Sequence, residues 1–223
     1  VGTHAGQNIT TGERNVAIGY QAMYLGVVTG TNNVAIGQNA GTDLTTAEQN
    51  VFIGRNAGAN TTTSSRNVMI GESAGAANVW SGSHVVIGTN ANDLATSGGQ
   101  KIIIGSSAGR NANGQNTIAM GYDSLAVVTG NANIALGVYS LNTASSGTNN
   151  IAIGERAGQV VTTGSHNIAF GANTLRTSAA VTGSNNIAIG QGSATDITSA
   201  LYTISIGYEA GENITTASDN VAI

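Results

Sequence analysis

The side chains in this sequence that could do chemistry are few, and their spacing works against them. His4, His84 and His166 could ligate a metal or move a proton, but they are far apart and occupy different sequence contexts. A metal site needs several donors converging on one ion. Glu209 and Glu212 are close enough to suggest the paired carboxylates of glycoside cleavage, yet proximity in sequence alone fits charges that solubilise a turn equally well. Asn8, Asn60 and Asn213 each begin Asn-x-Thr, the acceptor tripeptide for N-glycosylation, although a Thr-rich chain produces it by composition. Tyr20, Tyr122 and Tyr208 each follow a glycine, and Trp80 is placed in a turn. Such aromatics stack on sugars or a receptor, or cap a turn. No phosphate-binding loop, dinucleotide fingerprint or Asp-rich calcium nonapeptide occurs. No catalytic group, metal or cofactor is expected.

One residue type does recur with regular spacing. Asn15, Asn33, Asn50, Asn67, Asn133, Asn150, Asn167, Asn186 and Asn220 each open the pattern Asn-(Val/Ile)-x-Ile-Gly or a close variant. The glycine that closes it runs from Gly2 to Gly207 in steps of 16 to 19 residues, most of them 17. A fixed period across a chain of 223 residues is the signature of a repeat architecture. The position three before the glycine is always Val or Ile. The one before is nearly always Ile, with Met120, Leu136 and Phe170 as exceptions. The one between is usually Ala, and the position three after is always small.

These columns dictate the elements. A large-small-large triplet has the two-residue period of a strand, with both large residues on one face. The glycine permits a tight turn or a close backbone approach. The Thr-rich stretch that follows, such as Asn8-Ile9-Thr10-Thr11, suggests a second, weaker strand. One 17-residue turn cannot bury its own apolar edge, so turns must stack at about 4.8 Å and pair their backbones. The expected fold is an all-β, parallel β-solenoid (β-roll) of about 13 turns spanning 1-223, a rod roughly 60 Å long. Both ends fall inside a repeat, so the chain reads as a segment of a longer fibre protein. Composition agrees: hydrophobic residues make up 40% but charged residues only 8%, with no proline and no cysteine. The formal charge is −4 and only seven Lys and Arg are dispersed along the chain, which argues against nucleic acid as a partner. No apolar run is long enough to cross a membrane.

Asn15 to Ala22, Asn-Val-Ala-Ile-Gly-Tyr-Gln-Ala, resembles the head repeats of YadA-type trimeric autotransporter adhesins. It is also similar to the β-roll repeats of phage tail fibres. The resemblance covers the whole chain. It implies a left-handed coil, a homotrimer, and an extracellular, cell-surface or virion-surface location. The repeat is longer than usual for the adhesin heads, which places longer turns here. No stalk or anchor lies in this segment, so bacterial and phage origins stay open.

Two structural features are expected on the rod. Stacked in register, the nine asparagines form an amide ladder. Phe52, Met69, Val86 and Ile103 replace Ala in four successive turns. If the flanking Val and Ile fill the core, these four form an exposed apolar stripe, which marks an interface with a sister chain. The expected function is a structural and adhesive fibre segment giving reach, with end-to-end filament growth and a cell-surface receptor or glycan as further partners. Specificity is expected in the widened repeats around Leu25 to Asn32 and Ser178 to Ser184. The alternatives are an ice- or surface-binding Thr-rich solenoid and a glycan-cleaving tailspike. The first is disfavoured because adjacent Thr pairs on a strand point to opposite faces. The second lacks a carboxylate cluster.

Overall fold

The computed structural model describes residues 1–77 and 82–223, so Trp80 lies outside the described residues. The chain falls into two compact units, Val1–Ala112 and Asn113–Ile223. In the first unit the strands Val16–Ile18, Val34–Ile36, Val51–Ile53, Val68–Ile70, Val85–Ile87 and Ile102–Ile104 pair parallel, each with the next. In the second, Ile118–Met120, Ile134–Leu136, Ile151–Ile153, Ile168–Phe170, Ile187–Ile189, Ile204–Ile206 and Val221–Ala222 do the same. The pairing is in register, column on column: Val51 faces Val68, Phe52 faces Met69, and Ile53 faces Ile70. Each unit is therefore a parallel β-solenoid with one such strand, of three residues except at Val221–Ala222, per turn of about 17 residues.

The second strand of each turn is weaker than the sequence suggests. It is present as Asn111–Ala112 and Val127–Val128, and as single bridges at Ile9 with Val28 and Val161 with Val181. Elsewhere among the described residues this segment forms no strand, and isolated bonds hold it to the next turn. Thr45 donates both its N–H (3.0 Å) and its hydroxyl (2.9 Å) to the Thr62 carbonyl.

The anchor glycines set the tightness of the stack. Gly54 has φ 131°, and a Cβ there would lie 2.5 Å from the Gly71 carbonyl oxygen of the next turn. Both the backbone conformation and the close approach of successive turns require glycine. A second corner precedes each asparagine, where Arg66 (φ 63°), Asn149 (φ 56°) and His166 (φ 60°) are left-handed despite carrying side chains. That conformation costs roughly 1 kcal/mol or more outside glycine, and it persists here because the neighbouring turns hold it from both sides. It swings the following residue into the coil.

The inside and outside of the strand are the reverse of the expectation. The middle residue of the triplet points inward: Ala35, Ala119, Ala135, Ala152 and Ala188 are fully buried. The flanking Val and Ile point outward, with Val16 42% and Ile18 41% exposed. The reason is width. The opposite wall is so close, with a Cβ on Gly41 3.8 Å from the Ala35 Cβ and one on Gly158 3.5 Å from the Ala152 Cβ, that the interior takes Ala from most strands and a β-branched pair from none. The expected interface of Phe52, Met69, Val86 and Ile103 is accordingly overturned. All four are fully buried inside the first unit, and Phe52 is among its largest core side chains.

Space for them is made across the coil. A Cβ on Gly58 would come within 2.7 Å of the Phe52 ring, one on Gly75 within 2.5 Å of Met69 Sδ, and one on Gly109 within 2.7 Å of Ile103 Cδ1. Where the strand contributes Ala119, Ala135 or Ala169, the same position four after the anchor glycine is instead Leu125, Leu141 or Leu175, each buried. In these turns large on one wall is matched by small on the other, and where both are small, at Ala35 with Gly41 and Ala152 with Gly158, Phe52 and Leu141 of the adjacent turns reach the space.

Candidate functional site: an inner amide column and an outer apolar ribbon

The asparagine column lies just inside each unit, next to the strand. Asn33 donates its backbone N–H (2.9 Å) and its amide (3.1 Å) to Asn15 Oδ1. Asn50 repeats this onto Asn33 Oδ1 (3.1 and 3.0 Å), and Asn67 onto Asn50 Oδ1 (both 2.9 Å). In the second unit Asn150 and Asn167 make the same two bonds to Asn133 and Asn150. The other amide hydrogen closes the coil across its corner, as in Asn150 to the Gly164 carbonyl (2.9 Å) and Asn186 to the Ala200 carbonyl (2.8 Å). An amide is the only neutral side chain that offers two donors and a two-lone-pair acceptor at this length, so the column needs Asn for its chemistry. The ladder exists as two runs, Asn15 to Asn67 and Asn133 to Asn186. Asn220 stands outside them: Thr203 intervenes, and the Asn220 amide bonds the Ala217 carbonyl (2.7 Å) instead. Thr203 takes its N–H to Asn186 Oδ1 (3.0 Å), while its own buried hydroxyl has no protein partner.

Between the runs the column holds His84, Lys101 and Thr117, all buried. Periodicity alone passed over Lys101, and its place in the asparagine column is the signal that finds it. His84 donates its N–H to Asn67 Oδ1 (3.1 Å) and accepts the Lys101 N–H at Nδ1 (3.3 Å). The Lys101 ammonium bonds the Ser97 carbonyl (2.7 Å) and the Ala112 carbonyl. Burial pushes its pKa from the usual 10.5 down to about 8.

The other reactive side chains stay apart. His4 and His166 are exposed, and His166 lies beside the Asn149 amide (3.3 Å). Glu209 and Glu212 are exposed on a turn. No group of three or more His, Asp or Glu converges on a metal position among the described residues. Asn60 and Asn213 are exposed, whereas Asn8 gives its amide to the Tyr24 carbonyl (2.5 Å). In the first widened repeat Leu25 and Val27 are exposed while Val28 is buried, so that turn presents apolar side chains outward.

The most extensive outer feature is the face that the inverted strands create. Along each unit two columns of Val, Ile, Met, Leu and Phe lie side by side on the outer surface. Ile102, Met120, Ile189 and Ile206 are each about two-fifths exposed, and Phe170 is 52% exposed. Ion pairs and polar residues flank this ribbon in the turn after the anchor glycine, including Arg55 with Glu72 and Arg156 with Glu155. No family model, curated protein or solved structure matches the chain.

Proposed function

We propose that the chain is a structural and adhesive fibre segment, extracellular or on a virion surface. Three copies associate through the outer Val/Ile ribbon, and the assembly serves reach and attachment instead of catalysis. The ribbon is the observation that carries this reading. A soluble monomer rarely leaves a contiguous apolar patch larger than a few hundred Å² in water. Here two columns of Val, Ile, Leu, Met and Phe, one pair per turn, run along either unit. Covering one half-exposed Ile contributes on the order of 1 kcal/mol, so a ribbon of stacked pairs supports stable association. A strip repeating at one interval fits best against an identical strip in the same register, and a three-fold axis closes such contacts without leaving an open surface. The number three and the left-handed coil come from the similarity to trimeric adhesin and tail-fibre repeats.

Light scattering on the native particle tests the assembly. The expected mass is three chains of 22.1 kDa, about 66 kDa, and Ile53→Asp with Ile70→Asp should reduce it to a single chain. A wild-type mass of one chain would overturn the ribbon as a seam.

A further inference from the structure

We infer that the edge formed by Tyr122, Tyr139 and Arg156 in the second unit is a stacking site for a neutral oligosaccharide. The inference deepens the attachment role proposed above and does not depend on the number of chains.

The three side chains come from successive turns, locked together through the backbone. Tyr139 donates its N–H to the Tyr122 carbonyl (3.0 Å), and Arg156 donates its own to the Val138 carbonyl (2.8 Å). The two tyrosine rings meet edge to face, with centroids 5.5 Å apart and planes at 90°. The Arg156 guanidinium sits over the Tyr139 ring, 5.8 Å from its centroid. Tyr139 is thus held from two sides, and Tyr122 leaves 49% of its surface in water. An aromatic ring held in orientation before binding loses little conformational freedom when a ligand covers it.

The surroundings indicate the class of ligand. Arg156 is paired with Glu155 (3.0 Å), and Arg176 is tied to Gln159 (3.1 Å) and Asn173 (3.2 Å), with Asp123 beside Tyr122. The cations are satisfied internally and carboxylates are interspersed, so the patch offers no net positive field for a sulfated or sialylated chain. It offers ring faces together with fixed amide, guanidinium and carboxylate groups. A pyranose matches that combination, with an apolar C–H face for the ring and hydroxyls for the polar groups. The turns repeat at about 4.8 Å, comparable to the length of one sugar unit, so successive turns can meet successive sugars. The patch lies beside the ribbon and not on it. It lies in the column directly after the anchor glycine and in the one beyond it, where Arg55, Glu72 and Glu155 keep their charges in water.

The test uses the full chain and a panel of immobilised hexasaccharides: cello-, malto-, manno- and chito-oligomers as neutral probes, with oligogalacturonate and a heparin fragment as acidic ones. At least one neutral probe should bind. Tyr122→Ala should weaken that binding roughly tenfold, and Tyr122→Phe should retain it, because stacking needs the ring and not the hydroxyl. Particle mass by light scattering should be unchanged in both variants, which separates failure of this site from failure of the assembly. No neutral binding by the wild type, binding of acidic probes only, or Tyr122→Ala binding as well as wild type would each overturn the inference.

Discussion

Asn133 to Asn186 in the second unit and His84 to Lys101 in the first occupy the same column of the same repeat, yet they solve its hydrogen bonding differently. In the first region each Oδ1 takes the backbone N–H of the next turn, and from Asn133 and Asn150 it takes the next amide as well, while the second amide hydrogen ties the corner. The unit is neutral and passes itself on without limit. In the second region His84 Nδ1 has one lone pair and accepts one N–H from Lys101. Lys101 then replaces the corner-tying amide with an ammonium that bonds the Ser97 and Ala112 carbonyls. Lysine has no acceptor, so its side chain cannot continue the ladder. A period is therefore a constraint on backbone and volume, and it tolerates a change of chemistry in a buried column: Lys101 still reaches the corner carbonyls, whereas Thr203 leaves its buried hydroxyl without a protein partner.

The largest effect should come from breaking the neutral ladder. Asn150→Ala strips the Asn167 N–H and amide of their acceptor and leaves the Gly164 carbonyl without its donor, all in a buried column. Buried unsatisfied groups cost about 1–3 kcal/mol each, so the variant should lose on the order of 4 kcal/mol in denaturant unfolding. A loss below about 1 kcal/mol would mean that the amides follow the stack instead of holding it.

Next comes a repair. Lys101→Asn should stabilise the chain near neutral pH, because a charge that burial holds at a pKa of about 8 is removed from the core. The shift from 10.5 sets a ceiling of about 3 kcal/mol on that gain. The sign of the pH dependence follows. Below pH 8 both folded and unfolded chains carry the proton, and the folded one holds it at a cost. Between 8 and 10.5 the folded chain releases the proton while the unfolded chain keeps it, so wild-type stability should rise with pH across that window. Subtracting the profile of Lys101→Asn isolates this rise from other titrations. A difference that is flat from pH 8 to 10.5 would place the ammonium in contact with water.

The contrast between the regions also shows what the sequence carries. The 17-residue period, the strands and the amide ladder follow from column identity, because backbone pairing in a stack forces like onto like. Which face of Val-Ala-Ile turns inward does not follow from alternation, since period two fixes that the flanking residues share a side but not which side. The discriminating signal lay outside the strand. Phe52, Met69 and Ile103 pair with Gly58, Gly75 and Gly109, whereas Ala119, Ala135 and Ala169 pair with Leu125, Leu141 and Leu175. Compensation of that kind is sensible only for residues that share a core. The Tyr122–Tyr139–Arg156 edge was half legible: Tyr122 stood out after its glycine, but Tyr139 falls one position later and joins it only because the turns stack.

The smallest effect concerns His84, and it distinguishes the two halves of the altered step. Because Nδ1 accepts the Lys101 N–H, that nitrogen carries no proton in the folded chain. His84→Asn keeps an acceptor in place and fits the column as its neighbours do. The substitution should therefore change stability by only about 1 kcal/mol, the scale of one hydrogen bond exchanged for another. His84→Leu removes the acceptor and leaves the Lys101 N–H unpaired in a buried column, so in denaturant unfolding it should lose about 1–3 kcal/mol. Equal stabilities of His84→Asn and His84→Leu would leave the imidazole a spacer in the column.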